Sequence, residues 1–299
     1  MLKLEHLRTF ITVADTGNIA DAAEMLGRTP SAVSMTLKQL EGDIGGALFQ
    51  SDRKSNLTAL GRFTLDNARA QISGFDASVR TIRAYAAHEI GRLAIASVPS
   101  VATILLPSAL ATFLGPRPGL EVELLDADSR SVARMVDAGS AEIGIAGPPQ
   151  ETARLTFAPL ICDRFRVVHS ASDPLAAITR PLDWQDLHDA SFIRNEAADA
   201  IDLPELRERY YAATLMVRNV ASLLAMVREG LGVTLLPTLA TINLPAGLQA
   251  RDVDFRGAER IVGMITRTAS HPSPVAAAFV RHFHQSLAAS APALGIEAL

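Results

Sequence analysis

Cysteine, excess charge and long apolar runs are all scarce in this 299-residue sequence. The single Cys162 excludes an intrachain disulfide and a zinc site built from several thiolates, and it favours a reducing compartment. No segment approaches the roughly 20 consecutive apolar residues of a membrane-spanning helix. The charged residues 1–8 lack the apolar core of a signal peptide. We therefore expect a cytoplasmic protein without a membrane segment.

The charge balance gives no general sign of nucleic-acid binding. The net charge is −4, and residues 1–90 contain ten Lys and Arg against ten Asp and Glu. Any binding to DNA must therefore depend on where a few cations are placed. Apolar residues make up 48% of the chain and charged residues 20%, which is typical of a folded globular protein.

Residues 1–60 show the pattern of a helix-turn-helix module. The first helix carries an apolar stripe spaced by three and four residues, formed by Leu4, Leu7, Phe10, Ile11 and Ala14. Asn18 can cap a second helix, and Thr29 with Pro30 at the first helical position predicts the start of a third, which extends to about Glu41. Two short helices joined by a tight turn are typical of this motif.

The exposed face of the third helix suits the major groove of DNA, because its side chains are short or slender. Serine can donate to phosphates or base edges, methionine can contact a thymine methyl, and lysine can reach a phosphate. A hairpin after Leu48 would form a wing with two adjacent cations. The predicted DNA contacts are Asn18, Thr29, Pro30, Ser31, Ser34, Met35, Lys38, Arg53 and Lys54. The alternative is a three-helix packing module with a solvated charged turn.

A long helix follows, capped by Thr58 and continuing from Arg62 to about Ala87. Apolar or small residues alternate at steps of three and four, which indicates a heptad seam that pairs with another chain. These residues are Leu65, Ala68, Ile72, Phe75, Val79, Ile82 and Ala86. The alternative is a helix that lies against its own domain.

Strands and helices alternate from Arg92 onward, and the β-α-β-α-β order over residues 93–146 predicts a parallel sheet. A second such set covers residues 165–236. Ligands of open α/β sheets bind beyond the carboxyl ends of the strands. This rule selects Ser97, Ser100, Thr103, Ser129, Ala146, Gly147, Arg194, Asn195, Asn219 and Ser222 as effector contacts. Hydroxyls and helix N–H groups suit a carboxylate or another small anion, with Arg194 as its counter-ion, although each serine could equally be an ordinary helix cap.

The sequence offers no catalytic constellation. The segment from Gly144 to Pro148 lacks the spacing and the lysine of a phosphate-binding loop, and no nucleophile elbow is present. His282 and His284 point apart on a helix, so they form a poor metal site and are expected on a solvated face. Cys162 has no adjacent histidine. We therefore expect neither an enzyme, a metal site nor a cofactor.

One set of motifs resembles the amino-terminal signature of LysR-type transcriptional regulators. These motifs are Leu7-Arg8-Thr9-Phe10, Val13-Ala14-Asp15, Gly17-Asn18-Ile19, Ala22-Ala23, Ser31-Ala32-Val33-Ser34, Leu40-Glu41, Leu48-Phe49, Arg53 and Leu57-Thr58-Ala59-Leu60-Gly61. Later segments are similar to the effector-binding part of the same family, including Leu105-Leu106-Pro107, Glu142-Ile143-Gly144-Ile145 and Gly230-Leu231-Gly232-Val233-Thr234-Leu235-Leu236-Pro237. Two positions depart from the family pattern: Pro30 stands where glutamine is common, and Met35 where arginine is common.

The resemblance implies an α/β protein with an all-α, winged amino-terminal module. It implies a winged helix-turn-helix over residues 1–58, a linker and dimerisation helix over 59–90, and a two-lobed domain over 91–299 that is similar to periplasmic solute-binding proteins. Lobe I would contain residues 91–161 and 268–299, and lobe II residues 162–267, with chain crossings near Cys162 and Arg267.

The expected function is regulation of transcription through an inverted-repeat promoter site, modulated by a small effector. The expected partners are double-stranded DNA, the effector and further copies of the chain as a dimer or tetramer, with RNA polymerase as an additional candidate. The alternative is an α/β binding or enzymatic domain whose amino-terminal helices serve only oligomerisation.

Overall fold

The computed structural model describes residues 1–50, 56–151, 153–201, 204–254 and 257–299. The chain forms two compact units, Met1–Ala84 and Tyr85–Leu299. Each unit has its own hydrophobic core. No helix in the described part of the chain is both long enough and apolar enough to span a bilayer.

The first unit is helical, as the sequence predicts. Its helices are α1 (Leu4–Thr16), α2 (Ile19–Met25), α3 (Pro30–Ile44) and α4 (Ala59–Ala86), the last of which runs on into the second unit. Asn18 Oδ1 accepts a hydrogen bond from the Asp21 backbone N–H, and Thr29 Oγ1 accepts one from that of Ala32. Both predicted caps are therefore formed, and α3 ends three residues later than expected.

The core of the first unit buries one face of each helix. Phe10 and Phe49 pack edge to face with their ring centroids 5.4 Å apart. Leu65 and Ala68 of α4 are also buried in this core. The amino-terminal part of the predicted seam thus packs against its own module, because the three short helices need a fourth element to cover their apolar faces. Farther along α4, Ile82 is 68% exposed.

The described part of the second unit contains ten strands. They are β1 (Ile90–Ser97), β2 (Gly119–Asp126), β3 (Ile143–Ala146), β4 (Leu155–Ser170), β5 (Ile193–Arg194), β6 (Leu215–Met216), β7 (Thr234–Pro237), β8 (Leu248–Asp252), β9 (Glu259–Arg267) and β10 (Glu297–Ala298). The main path of the larger sheet has the order β10-β4-β9-β3-β1-β2. Strand β1 is parallel to both β2 and β3, which confirms the predicted parallel arrangement.

Helices alternate with these strands along the chain. They are α5 (Pro99–Ile104), α6 (Leu106–Leu114), α7 (Ser129–Ala138), α8 (Pro204–Ala212), α9 (Val220–Arg228), α10 (Thr238–Thr241) and α11 (Pro274–Leu294). Helix α5 was not predicted: the residues after β1 form a short helix that begins at Pro99, instead of a loop. His282 does not lie on a solvated face, because its Nε2 is 2.9 Å from Thr112 Oγ1 in the contact between α6 and α11.

One long strand, β4, belongs to both lobes. Its residues 155–164 pair with β9, whereas residues 165–170 pair with β7 and β8. The chain returns to lobe I earlier than expected. Gly263, Met264 and Ile265 of β9 already pair with β3, and Met264 and Ile265 lie in the lobe I core. The return crossing is thus at Glu259–Arg260 and not near Arg267, since β9 is needed to fill the sheet between β3 and β4.

Candidate nucleic-acid interface and ligand cleft

One face of α3 is exposed and polar. Ser31, Met35 and Lys38 are exposed and Ser34 is half-buried, while Val33 and Leu37 on the opposite side are buried in the core. Met35 is 72% exposed, so most of its side chain faces solvent. Ser34, Met35 and Lys38 follow Ser31 by three, four and seven residues, so the four side chains form one stripe along the helix.

The amino-terminal end of α3 adds two further predicted residues to this stripe. Thr29 Oγ1 lies 3.1 Å from Ser31 Oγ, and Pro30 is exposed at the first helical position. Asn18 is different, because its side-chain oxygen and amide both bond to Asp21 within α2. The structure therefore shows Asn18 as a helix cap whose hydrogen-bonding groups are already occupied.

Arg53 and Lys54, the predicted wing cations, lie outside the described residues. The base of the hairpin is described: Phe49 and Leu57 form an antiparallel bridge, and Gln50 N donates to Asn56 O over 2.8 Å. Arg62 Nη1 donates to Leu57 O over 3.1 Å, which places this cation at the base. Sequence reasoning assigned Arg62 only to the start of a helix.

Ion pairs distinguish the cations of the first unit. Arg69 pairs with Asp15, and Arg28 pairs with Glu5 at 2.9 Å. Lys38 has no ion pair with any described residue, so the charge on the recognition stripe remains available to an external anion.

In lobe I, the residues after β1 differ most from expectation. Ser97 is fully buried, with its Oγ 3.3 Å from Val98 O, and the Thr103 hydroxyl donates to Pro99 O over 2.8 Å along α5. Neither hydroxyl is therefore a free ligand group. Ser100 is also buried, but its Oγ accepts a hydrogen bond from Arg260 Nη2 over 2.8 Å.

The structure brings together the predicted residues that follow β2 and β3. Gly147 N donates to Ser129 Oγ over 3.2 Å, and a Cβ at Gly147 would lie 3.3 Å from the same oxygen. Ala146 is fully buried, so its side chain belongs to the core and not to a ligand surface. Burial opposes ionisation of Asp128, but hydrogen bonds from Ser131 lower the pKa of this carboxyl below its ordinary value.

In lobe II, the guanidinium of Arg194 lies between an aromatic ring and a sulfur atom. Its guanidinium lies 5.1 Å from the centre of the Tyr211 ring, and its Nη2 is 3.1 Å from Met216 Sδ. Its buried Nε has no hydrogen-bond partner, and no described carboxylate forms an ion pair with it. Buried polar atoms in proteins nearly always have a hydrogen-bond partner, so this Nε marks a place where a ligand or water can bond.

Asn195, the neighbour of Arg194, is occupied structurally. Its amide nitrogen donates to Thr234 Oγ1 and to Leu235 O, both over 2.9 Å, and its Oδ1 accepts from Ala197 N. The side chain is buried, and its hydrogen bonds are made within lobe II, so nothing in its surroundings favours the predicted effector contact. The preference of asparagine for helix caps and turns is the sequence signal that indicates this structural role.

The wall of lobe II also includes the start of α9. Asn219 Oδ1 caps the helix through Ser222 N at 3.0 Å, and both side chains are exposed. The adjacent Arg218 pairs with Glu196 at 2.9 Å. The Glu196 carboxylate mainly raises the pKa of Arg218, and Asp128 of lobe I adds to this effect. Asp128 of lobe I and Arg218 of lobe II are therefore near enough to interact electrostatically, and sequence reasoning had not singled out Arg218.

A helix-turn-helix module, a long helix and a two-lobed α/β domain with a polar cleft together define a ligand-responsive DNA-binding regulator. Residues 4–62 match the family described as bacterial regulatory helix-turn-helix protein, lysR family. Residues 86–288 match the LysR substrate binding domain. The chain belongs to the LysR family of transcriptional regulators.

Relatives and solved structures agree with this assignment. The chain is 26% identical to the probable transcriptional regulator LrrA of Synechococcus elongatus, over 95% of this chain and 97% of that protein. It is 29% identical to the regulator IlvR of Caulobacter vibrioides, over 85% of this chain and 88% of that protein. A full-length CbnR structure in complex with its target DNA superposes with a TM-score of 0.73 at 23% identity, covering 95% of this chain and 99% of CbnR. Oxidised OxyR of Corynebacterium glutamicum gives 0.69 at 22% identity, covering 98% of this chain and 95% of OxyR.

These findings confirm the predicted fold class and the predicted regulatory function. The protein is a DNA-binding transcriptional regulator with an effector-binding domain. The alternative, in which the amino-terminal helices serve only oligomerisation, does not hold because these helices match the DNA-binding module of the family.

Proposed function

We propose that α3 enters the major groove of an inverted-repeat operator in the cytoplasm. The observation that carries this proposal is the exposed stripe of α3, in which Lys38 lacks an ion pair with described residues. Lys38 contacts a phosphate, Ser31 and Ser34 donate to phosphates or base edges, and Met35 packs against a thymine methyl. Thr29 and Pro30 complete the contact at the amino-terminal end of the helix.

The two half-sites of such an operator require two copies of α3. The exposed apolar side chains of α4, with Phe75 46% and Ile82 68% exposed, supply a surface on which a second chain can pack. We assign dimerisation to this part of the helix and not to its amino-terminal third, which its own module covers. Arg53 and Lys54 remain proposed phosphate contacts on the wing.

The effector is a small anion, most simply a carboxylate, bound between the lobes. Arg194 supplies the positive charge, since its Nε lacks a partner and no described carboxylate pairs with it. Ser129, Asn219 and Ser222 supply polar groups at the ends of the neighbouring elements. Binding of the effector changes the closure of the lobes, and through the dimer it changes the spacing of the two reading helices and the bend of the DNA.

A mobility-shift assay on the DNA upstream of the gene tests the DNA-binding mode. Ser34→Asp places a negative charge on the recognition stripe and is expected to abolish the shift. Glu24→Asp, an exposed position on α2, serves as the matched control and should leave the shift intact. Equal affinity in all three proteins would refute the docking of α3.

A thermal-shift screen against small carboxylates tests the effector class. A carboxylate that raises the melting temperature of the wild type should have little effect on Arg194→Met. Arg228→Met is the control, because it removes an exposed arginine from the same lobe. Arg228 Nε lies 3.8 Å from the Glu229 carboxylate, which is a long contact. This variant should respond to the carboxylate like the wild type. Stabilisation by neutral ligands alone would contradict the anionic effector.

A further inference from the structure

A buried ion pair lies where the two crossing strands meet. Asp163 of β4 and Arg260 of β9 are opposite each other in the antiparallel register, and their side chains are 0% and 10% exposed. Arg260 Nε donates to Asp163 Oδ1 over 2.6 Å, and Nη2 donates to Oδ2 over 3.1 Å. This fork fixes the plane and the rotation of the guanidinium.

The ion pair extends in two directions. Asp163 Oδ2 also accepts from Leu239 N, 3.3 Å away at the start of α10. Arg260 Nη2 reaches Ser100 Oγ at 2.8 Å on α5. Four elements, α10, β4, β9 and α5, are thus joined through one carboxylate and one guanidinium. Ser100 is the last residue in this series of hydrogen bonds. It follows the carboxyl end of β1, and ligands of such sheets bind beyond the carboxyl ends of the strands.

The bond from Arg260 determines what Ser100 can do. A serine hydroxyl has one proton to donate and two lone pairs that can accept, whereas a guanidinium only donates. Arg260 therefore occupies a lone pair of Ser100 Oγ, and the hydroxyl proton must point elsewhere. The Ser100 hydroxyl donates to no acceptor in the described part of the chain. Its remaining hydrogen-bonding role toward a ligand is principally that of a donor.

We propose that Arg260 is a positioning residue for effector binding, which holds Ser100 as a hydrogen-bond donor toward the interlobe cleft. The effector must then present an oxygen acceptor, such as a carboxylate oxygen, to Ser100. This inference rests on the proposed anionic effector and adds to it a specific donor and the residue that orients it. Through Arg260 and Asp163, a ligand bonded to Ser100 is also linked to β9 and β4, the two strands that connect the lobes.

The test is a mutant cycle measured by calorimetric titration with short mono- and dicarboxylates from acetate to glutarate. Ser100→Ala removes the donor. Asp163→Asn combined with Arg260→Met removes the ion pair as a unit, so that no buried charge is left unpaired. Each is expected to weaken carboxylate binding roughly tenfold, the usual effect of losing one hydrogen bond. The triple variant should bind no more weakly than Ser100→Ala alone, because Arg260 acts through Ser100.

A neighbouring ion pair on the same two strands provides the matched control. Arg164 and Glu259 are opposite each other one position away, are 54% and 62% exposed, and make no contact with Ser100. Arg164→Met combined with Glu259→Gln should bind carboxylates like the wild type. Arg260→Lys serves as a second probe, since lysine keeps the charge beside Asp163 but lacks the fork that also reaches Ser100. It should show the same loss of affinity and carries the test if the double variant does not fold.

Each outcome supports or overturns the proposal. Additive losses in the triple variant would mean that Arg260 acts independently of Ser100. Wild-type affinity in both Arg260→Lys and the double variant would likewise overturn the positioning role. If the wild type binds carboxylates but Ser100→Ala binds them equally well, the donor is refuted while the anionic effector stands. If the wild type binds none of these probes, the anionic effector and this inference both fail.

Discussion

Replacing Lys38 by alanine should make DNA binding less dependent on salt. Lys38 is exposed on the recognition stripe and forms no ion pair with described residues, so its full charge can neutralise a phosphate. Each neutralised phosphate contributes about 0.9 to the slope of log affinity against log salt concentration. A dimer presents this lysine twice, so Lys38→Ala should reduce the slope by about 1.8.

This change in slope corresponds to an easily measured difference in affinity. When salt rises fourfold, from about 50 to about 200 mM, the advantage of the wild type over Lys38→Ala should shrink by about 12-fold. Fluorescence anisotropy of a labelled promoter fragment at four or five salt concentrations measures both slopes. The comparison depends on the difference between two proteins on the same DNA, so the remaining phosphate contacts cancel.

Arg69→Ala is the control for a general effect of charge. It removes one positive charge from the same unit, but that charge is paired with Asp15. Its slope should stay close to that of the wild type. An unchanged slope in Lys38→Ala would refute the phosphate contact. Equal reductions of the slope in both variants would mean that the loss of positive charge acts at long range and not through a specific contact of Lys38.

Three further outcomes are expected. Ile82→Glu introduces charge on the exposed apolar part of α4 and should give monomers in sedimentation velocity, whereas a persisting dimer would move the interface elsewhere. Burial, reinforced by nearby carboxylates, raises the pKa of the Cys162 thiol, so iodoacetamide should alkylate the folded protein at pH 7.5 more slowly than the unfolded one; an equal rate would contradict this. Asp163→Ala leaves Arg260 buried and unpaired and should reduce the free energy of unfolding by about 3–5 kcal/mol, measured by calorimetry, with most of it recovered when Arg260→Met is added.

The amino-terminal module could be predicted almost completely from the sequence. Its helices begin at local caps such as Asn18 and Thr29, and its exposed stripe follows from the helical period. The caps and the stripe depend on residues within about four positions of each other, so a short segment of sequence is enough to predict them. Asn18 is the exception among the site residues, because its side-chain oxygen and its side-chain amide both bond to Asp21.

The position of the ligand site remains a prediction. The rule for the carboxyl ends of strands selects the elements that would line it, but it could not tell which side chains are free. Ser97 and Ala146 are inside the core, and Asn195 is fully bonded within lobe II. Burial depends on which helix or strand covers a residue, and a residue's own neighbours in sequence do not carry that information.

The sequence by itself determined the recognition helix, the composition of the two domains and the β-α-β-α-β order at the start of lobe I, apart from helix α5. Only the tertiary structure decided where the chain returns between the lobes and which charges meet there. Arg260 is 97 residues from Asp163 and 160 residues from Ser100 along the chain, yet it bonds to both. Contacts at such separations arise from how the sheet is assembled, because strand pairing brings together residues that no local pattern relates.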